Sequence, residues 1–257
     1  MMTRLARSVA MFTIVPVPVR AAAEPTPADG AQALLWLPAV GAVLGAAAGL
    51  PATAVRAWAP HASLLGAILA VAALAALTGG LHLDGLADTA DGLGSRAAPG
   101  RALEVMKQSD VGPFGVVTLV LVLLADVASL TSLRGGTWAP AAVLAVAAAT
   151  GRVAAVHAAV RGVPAARPAG FGALVAGRVT IPAAAGWTVA ALALGTAAAL
   201  ALRIAPAWVL VPQAVALATA WLLRRHAARR LGGVTGDVFG GLIEAATAVT
   251  LIGVALR

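Results

Sequence analysis

Cysteine is absent from the chain, which excludes disulfides, thiolate metal sites and a cysteine nucleophile. Acidic residues are scarce as well, ten among 257. Lysine occurs once against seventeen arginines. Together with the abundance of alanine this skew looks like coding bias, so each arginine is weaker evidence for bidentate chemistry than usual. There is no long polar linker and no repeat of sustained period. Residues 5–19 are apolar but contain Pro16 and Pro18 and lack a small-residue cleavage site, so they read as a short interfacial or partly inserted segment and not a signal peptide. Residues 1–257 are therefore read as one integral-membrane domain.

What the chain has instead is apolar length. Hydrophobic residues make up 61% of it, charged residues 11%, and the mean hydropathy is +0.94. No soluble domain of this size needs so much apolar surface. Several runs reach the roughly 20 residues that cross a bilayer as a helix. They fall near 31–55, 62–80, 113–133, 138–160, 180–202, 206–223 and 238–256. Their length and Ala/Leu/Val content do not suit period-2 barrel strands. The fold class predicted is all-α, a polytopic membrane bundle of about seven transmembrane helices.

Loop charges orient it. Arg4, Arg7, Arg20, Arg96, Arg101, Lys107, Arg161, Arg167, Arg178, Arg224, Arg225, Arg229 and Arg230 fall on one side, and Arg56, Arg134, Arg203 and Arg257 on the other, thirteen against four. The positive-inside rule puts the N-terminus in the cytoplasm and the C-terminus outside. Basic loops facing anionic lipid account for the net charge of +8 without a nucleic-acid partner.

Eight of the ten acids lie in or beside the loops on that cytoplasmic side: Asp84, Asp88, Asp91, Glu104, Asp110, Asp126, Asp237 and Glu244. Three of them sit in His82-Leu-Asp-Gly-Leu-Ala-Asp-Thr-Ala-Asp-Gly92. The i, i+4, i+7 spacing puts Asp84, Asp88 and Asp91 within about 60° of one another on a helix. Three carboxylates on one face repel unless a cation sits among them, and Mg²⁺ takes hard oxygen ligands while keeping positions open for phosphate. Arg96, Arg101 and Lys107 follow, and carboxylates for metal beside cations for phosphate form a phosphoryl-transfer composition.

Other residues carry two readings. Asp110 either completes a metal shell or caps the helix beginning near Pro113. His82 is a base, a ligand or a structural imidazole. Asp126 lies within a span and is expected to pair with Arg152. The stretch Gly232-Gly-Val-Thr-Gly-Asp237 offers backbone N–H groups to an anion, with Gly233, Thr235 and Gly236 as phosphate contacts and Asp237 as a fourth carboxylate ligand. Glycine-rich stretches also let membrane helices pack closely. The loop from Arg161 to Arg178 either clamps phosphate or only turns the chain.

Assembled, these residues resemble the cobalamin synthase family over nearly the full length. Phe12-Thr-Ile-Val-Pro-Val-Pro18 looks like its opening, Gly80 to Gly92 its most specific motif, Met106-Lys107 with Gly112-Pro-Phe-Gly115 the next, and Gly232 to Asp237 the last. One departure is Gln108, where many members carry an acid; here the acid is Asp110. The resemblance implies a Mg²⁺-dependent transfer at the cytoplasmic face of the inner membrane. Adenosylcobinamide-GDP would donate its phosphocobinamide part to α-ribazole or its 5′-phosphate and release GMP. Asp91, Asp237 and His82 are the alternatives for the base. A homo-oligomer, or a complex with other enzymes of cobalamin synthesis, is compatible with this reading. The competing classes are a CDP-alcohol phosphotransferase, against which Asp88 stands where arginine is usual, and a prenyltransferase, for which a second Asp-rich helix is missing. A transporter would gather its polar groups at the midplane and not at helix ends.

Overall fold

The computed structural model describes residues 4–17 and 26–257. Pro18 of the opening motif and Arg20 of the charge count lie outside the described residues. Eleven α-helices and no strand are found among those described. In order they are α1 (Arg4–Phe12), α2 (Pro27–Trp58), α3 (Ser63–Leu77), α4 (Leu81–Gly94), α5 (Pro99–Val105), α6 (Pro113–Ser132), α7 (Ala139–Ala158), α8 (Phe171–Val175), α9 (Ile181–Ala201), α10 (Ala207–Leu231) and α11 (Gly236–Ala255). Seven are long and apolar enough to cross a bilayer: α2, α3 with its leading turn from Pro60, α6, α7, α9, α10 and α11. These are the seven runs read from the sequence.

Proline and glycine set most boundaries. Pro27, Pro99 and Pro113 open their helices, where a missing N–H costs nothing. At the start of α2 the Thr26 hydroxyl accepts from the Asp29 amide while the Asp29 carboxylate accepts from the Thr26 amide. Asp29 also pairs with Arg7, which ties α1 to α2. At the end of α3, Gly79 and Gly80 take φ of 61° and 71° and turn the chain into α4. The run expected to end at residue 223 continues as helix to Leu231, because Arg224, Arg225, Arg229 and Arg230 are good helix formers that leave the apolar window without ending the helix. Residues 4–12 form an amphipathic helix too short to span, as expected of an interfacial segment.

The bundle is built around α7, which is buried over 94% of its apolar window. Its contact with α2 is a small-residue seam. Gly41, Gly45 and Gly49 recur every four residues, and a Cβ added at Gly45 would stand 2.4 Å from the Leu144 carbonyl oxygen. Close backbone approach of this kind is how helices associate when lipid tails are as apolar as the side chains. On an adjoining face of α7, a Cβ at Gly151 would stand 2.5 Å from the Ile243 carbonyl oxygen of α11. With α7 packed closely against both helices, α11 is positioned, and with it the end that carries Asp237.

Gly45→Ala is expected to destabilise the protein by about 1–3 kcal/mol through overpacking. Gly186→Ala, where an added Cβ meets nothing within 4 Å, is expected to be neutral or to gain up to about 1 kcal/mol from helix propensity. Thermal unfolding of the detergent-purified variants distinguishes the two outcomes.

Candidate active site

The Asp-rich segment is helical, as the spacing predicts, but its three carboxylates divide between two neighbours. Asp84 is exposed, Asp88 half-buried and Asp91 8% exposed. The Asp91 carboxylate accepts from the backbone amides of Gly112 at 2.7 Å and Gly115 at 2.9 Å. It thereby caps α6 across the loop, placing negative charge at the positive end of that helix. A Cβ at Gly112 or Gly115 would stand 2.5 or 2.4 Å from this carboxylate, which is why both ends of Gly-Pro-Phe-Gly are glycine. Asp110 is exposed and α6 has no side-chain cap from its own residues, so the capping alternative read for Asp110 belongs to Asp91.

Asp84 and Asp88 face α11 instead. The helices cross backbone against backbone: a Cβ at Gly85 would stand 2.7 Å from the Asp237 carbonyl oxygen, and one at Gly240 3.0 Å from that of His82. This crossing joins the first and last motifs. Burial raises the Asp88 carboxyl from its ordinary value to about 6; the charges of Asp84, Asp237 and Asp91 add to the rise, and Arg167 opposes it. Among the described residues, no three acidic or imidazole groups stand close enough to enclose a metal ion by themselves.

Arg167, not singled out within a loop whose sequence reads either as a phosphate clamp or as a turn, completes the cluster. Its Nη1 reaches an Asp237 oxygen at 3.4 Å, its Nη2 donates to the Leu103 carbonyl at 2.8 Å, and its Nε is buried without a partner among the described residues. Arginine is so common in this chain that its type gave no signal. The flanking Pro164, Pro168 and Gly170 hint at a loop built to one shape. By contrast Arg101 pairs with exposed Glu104 at 2.9 Å, and Arg96 and Lys107 are exposed.

The glycine-rich turn before α11 is held by the fourth loop. Ala166 donates to Val234 at 3.0 Å and Val234 to Pro164 at 2.9 Å, while a Cβ at Gly233 would stand 2.6 Å from the Ala165–Ala166 peptide. Gly233 therefore serves close packing. Thr235 caps α11, its hydroxyl accepting from the Val238 amide at 3.2 Å. Thr235 and Gly236 remain at the wall of a cavity of about 450 Å³. Its mouth carries Asp84, Arg167 and Asp237; its inner wall carries Phe12, Phe171 and Phe239. Arg96, Arg101 and Lys107 do not line it. His82 does, at 3% exposure, with Nε2 lacking a partner among the described residues. Burial, and secondarily the Arg152 guanidinium, hold this imidazole well below its ordinary range, so it is neutral at pH 7.

The pair expected between Asp126 and Arg152 is not formed. Arg152 is 1% exposed, and among the described residues no carboxylate lies within ion-pair distance of it. Glu244, which lies two turns inside α11 and not beside a loop, is the electrostatic neighbour of both groups. Gly41 makes room for the arginine stem: a Cβ there would stand 2.6 Å from its Cδ.

The fold and site define a class: a polytopic helical protein with an acidic cluster and one arginine at the mouth of an aromatic-walled cavity. Residues 4–255 match the cobalamin-5-phosphate synthase family, and the chain belongs to it. It is 40% identical over 260 residues to the adenosylcobinamide-GDP ribazoletransferase of Frankia casuarinae, covering 95% of this chain and 92% of the relative. It is 39% identical to the enzyme of that name from Stutzerimonas stutzeri, covering 97% of each, and 38% identical to the one from Pseudomonas entomophila, covering 96% and 97%. No solved structure matches the chain.

The divided carboxylates predict divided phenotypes. Asp91→Ala leaves the two α6 amides unpaired and is expected to cost about 1–3 kcal/mol of stability. Asp84→Ala, at an exposed position, is expected to stay within about 0.5 kcal/mol of wild type. Asp88 ionises in the metal-free fold near 6 and at about 3.8 unfolded, so the native state holds the proton more tightly. Its contribution is full below about pH 4 and is lost as pH rises through 6. Asp88→Asn is expected to flatten that slope and to gain roughly 1 kcal/mol at pH 7.5, allowing for screening of a half-exposed group. Thermal unfolding in chelator across pH 4–8 measures all three.

Proposed function

We propose that this chain is an adenosylcobinamide-GDP ribazoletransferase. It joins the phosphocobinamide part of adenosylcobinamide-GDP to a hydroxyl of α-ribazole, or of its 5′-phosphate, and releases GMP. The observation that carries this reading is the α4–α11 crossing at Gly85 and Gly240, which gathers Asp84, Asp237 and Arg167 at one cavity mouth with Asp88 in their electrostatic neighbourhood.

A divalent cation suits this donor set. Mg²⁺ is commonly held by one or two carboxylates and completed by substrate phosphates and water, so a ready-made cage is not required. Asp84 and Asp88 are the proposed ligands, and their mutual repulsion is what a cation would relieve. When bound, the ion supplies charge neutralisation to the pyrophosphate and to the leaving GMP. Arg167 is the proposed phosphate clamp: its 3.4 Å contact with Asp237 is weak, so turning Nη1 toward a non-bridging oxygen loses little. Of the three alternatives for the base, Asp91 is engaged by two amides, and a proton on His82 would bury a second cation beside Arg152. Asp237, half-buried at the mouth, is left to take the proton from the ribose hydroxyl. Arg96, Arg101 and Lys107 form an outer basic rim on the same side, suited to drawing in an anionic donor.

The orientation belongs to the same reading. The basic loops, α1, α4, α5 and the entry to α11 share one side of the bundle, proposed as the cytoplasmic face of the inner membrane.

Purified protein given adenosylcobinamide-GDP, α-ribazole and Mg²⁺ is expected to form cobamide and GMP in equal amounts. EDTA should stop it. Asp84→Ala, Asp88→Ala and Asp237→Ala should each lower kcat by about a hundredfold or more, the usual loss when a transition-state charge is left unbalanced. Turnover untouched by EDTA would sink the metal, and no GMP would sink the function. Single cysteines at Arg96 and Arg230 should resist membrane-impermeant reagent in intact cells while one at Arg257 reacts; labelling at Arg96 would reverse the topology.

A further inference from the structure

Apart from Arg167, the phosphoryl chemistry proposed for the cavity mouth uses nothing from the N-terminal helix or the fourth loop. Both send a phenylalanine into the same place. Phe12 at the end of α1 and Phe171 at the start of α8 meet edge-on, with ring centroids 5.4 Å apart at 89°. Phe171 meets Phe239 of α11 in the same manner, 5.8 Å apart at 80°. Together they form the inner wall of the 450 Å³ cavity, and Leu34, Leu37 and Ile243 extend it.

We infer that this wall is the subsite for the aromatic base of the acceptor, and that its phenylalanines select a flat, largely apolar base over a purine. The inference rests on the transferase reading above. Three considerations support it. A cavity of this size takes a drug-sized ligand and leaves a corrin macrocycle outside. Offset and edge-to-face contacts between aromatic rings favour a planar bicyclic base, each pair contributing about two- to tenfold in affinity. Guanine, the donor's own base, would bury several donors and acceptors against Phe12, Leu34, Leu37 and Ile243 with only the His82 imidazole beside them to pair one; each group left orphaned loses about tenfold or more. The same cavity carries Asp84, Arg167 and Asp237 at its mouth. A base held by the phenylalanines therefore presents its ribose hydroxyls to the carboxylates, and the guanosine end of the donor lies elsewhere.

Phe12 and Phe239 are core residues, so the test falls on the half-buried positions Phe171 and Ala173, both lining the cavity. Ala173→Leu fills the space, Phe171→Ser removes the ring, and Phe171→Leu restores an apolar wall. Full-length protein in liposomes is assayed with adenosylcobinamide-GDP and the α-ribosides of dimethylbenzimidazole, benzimidazole and adenine. Binding of α-ribazole alone is followed separately by its benzimidazole fluorescence. Ala173→Leu and Phe171→Ser are expected to raise the KM for α-ribazole about tenfold and weaken its binding equally, while the KM for the donor stays within about twofold. Phe171→Leu should recover most of the loss. Wild type should prefer the two benzimidazoles to adenine, and Phe171→Ser should narrow that preference. A rise in the donor KM alone would assign the cavity to guanosine and overturn the inference. Unchanged KM and binding would leave the cavity to a lipid chain and overturn it equally. Absence of cobamide from wild type, with α-ribazole binding still weakened by Ala173→Leu, would refute the transferase reading and leave the subsite standing.

Discussion

The contact between Gly85 of α4 and Gly240 of α11 is the constraint on which the rest of the site depends. A short helix that does not span and a long one that does can share chemistry only if their backbones approach closely enough for side chains one turn away to meet. The two glycines permit that, and each has a neighbour's backbone where a Cβ would stand. The crossing sets Asp84 and Asp88 against Asp237 and turns the entry of α11 toward the fourth loop, where Arg167 waits. It also buries Asp88 beside the charges of Asp84 and Asp237, and the burial, with those charges second, raises its carboxyl. Three of the chain's ten acids stand in this one place, and such clustering of perturbed charge is the physical ground for the cation proposed there.

The crossing is rigid because its far side is rigid. The Ile243 turn of α11 lies against Gly151 of α7, and α7 lies against the glycine seam of α2. Small residues in membrane helices thus transmit position from the bundle axis to the surface. The buried Arg152 sits in this line between Gly41 and the neighbourhood of His82 and Glu244. A charge at that depth is retained at considerable cost. It adds to the burial that chiefly keeps the His82 imidazole neutral, which makes His82 a wall of the cavity more than a participant in proton transfer.

The spans were legible because hydropathy reports removal from water, into lipid or, as for α7, into the bundle itself, and the seven helices differ from the runs mainly at their ends. Helical form at residues 81–94, and the meeting of the first and last motifs, were legible from the carboxylate spacing and from the shared membrane face. The partner of each group was not. Spacing says that Asp91 shares a face with Asp84; it does not say that a 60° arc is wide enough to serve two neighbouring helices. The clue lay in Gly112-Pro-Phe-Gly115, a helix start with no capping side chain of its own, which needs an acceptor from elsewhere. Arg167 was hidden by the abundance of arginine and by the 70 residues between it and Asp237. Glu244 was misplaced because a run boundary near residue 238 made it look close to the surface, although it lies inside α11.

The division of the Asp cluster also explains why one motif can be so dense. Asp91 and the α6 amides hold α4 in register with the bundle, and Gly92 and Gly94 bring α4 against Met106 and Phe114 with no room for a Cβ. With its C-terminal half anchored in this way, α4 can hold Asp84 at the cavity and Asp88 beside it without further support from their own side chains. A carboxylate spent on amides and two left with unbalanced charge are complementary uses of the same residue type: the first fixes the geometry in which the other two repel. Were Asp91 also free, α6 would lose its cap and α4 an anchor, and the repulsion among the acids could relax by moving the helix away from α11. The anchoring carboxylate keeps that route closed, which is why a cation is proposed as the relief.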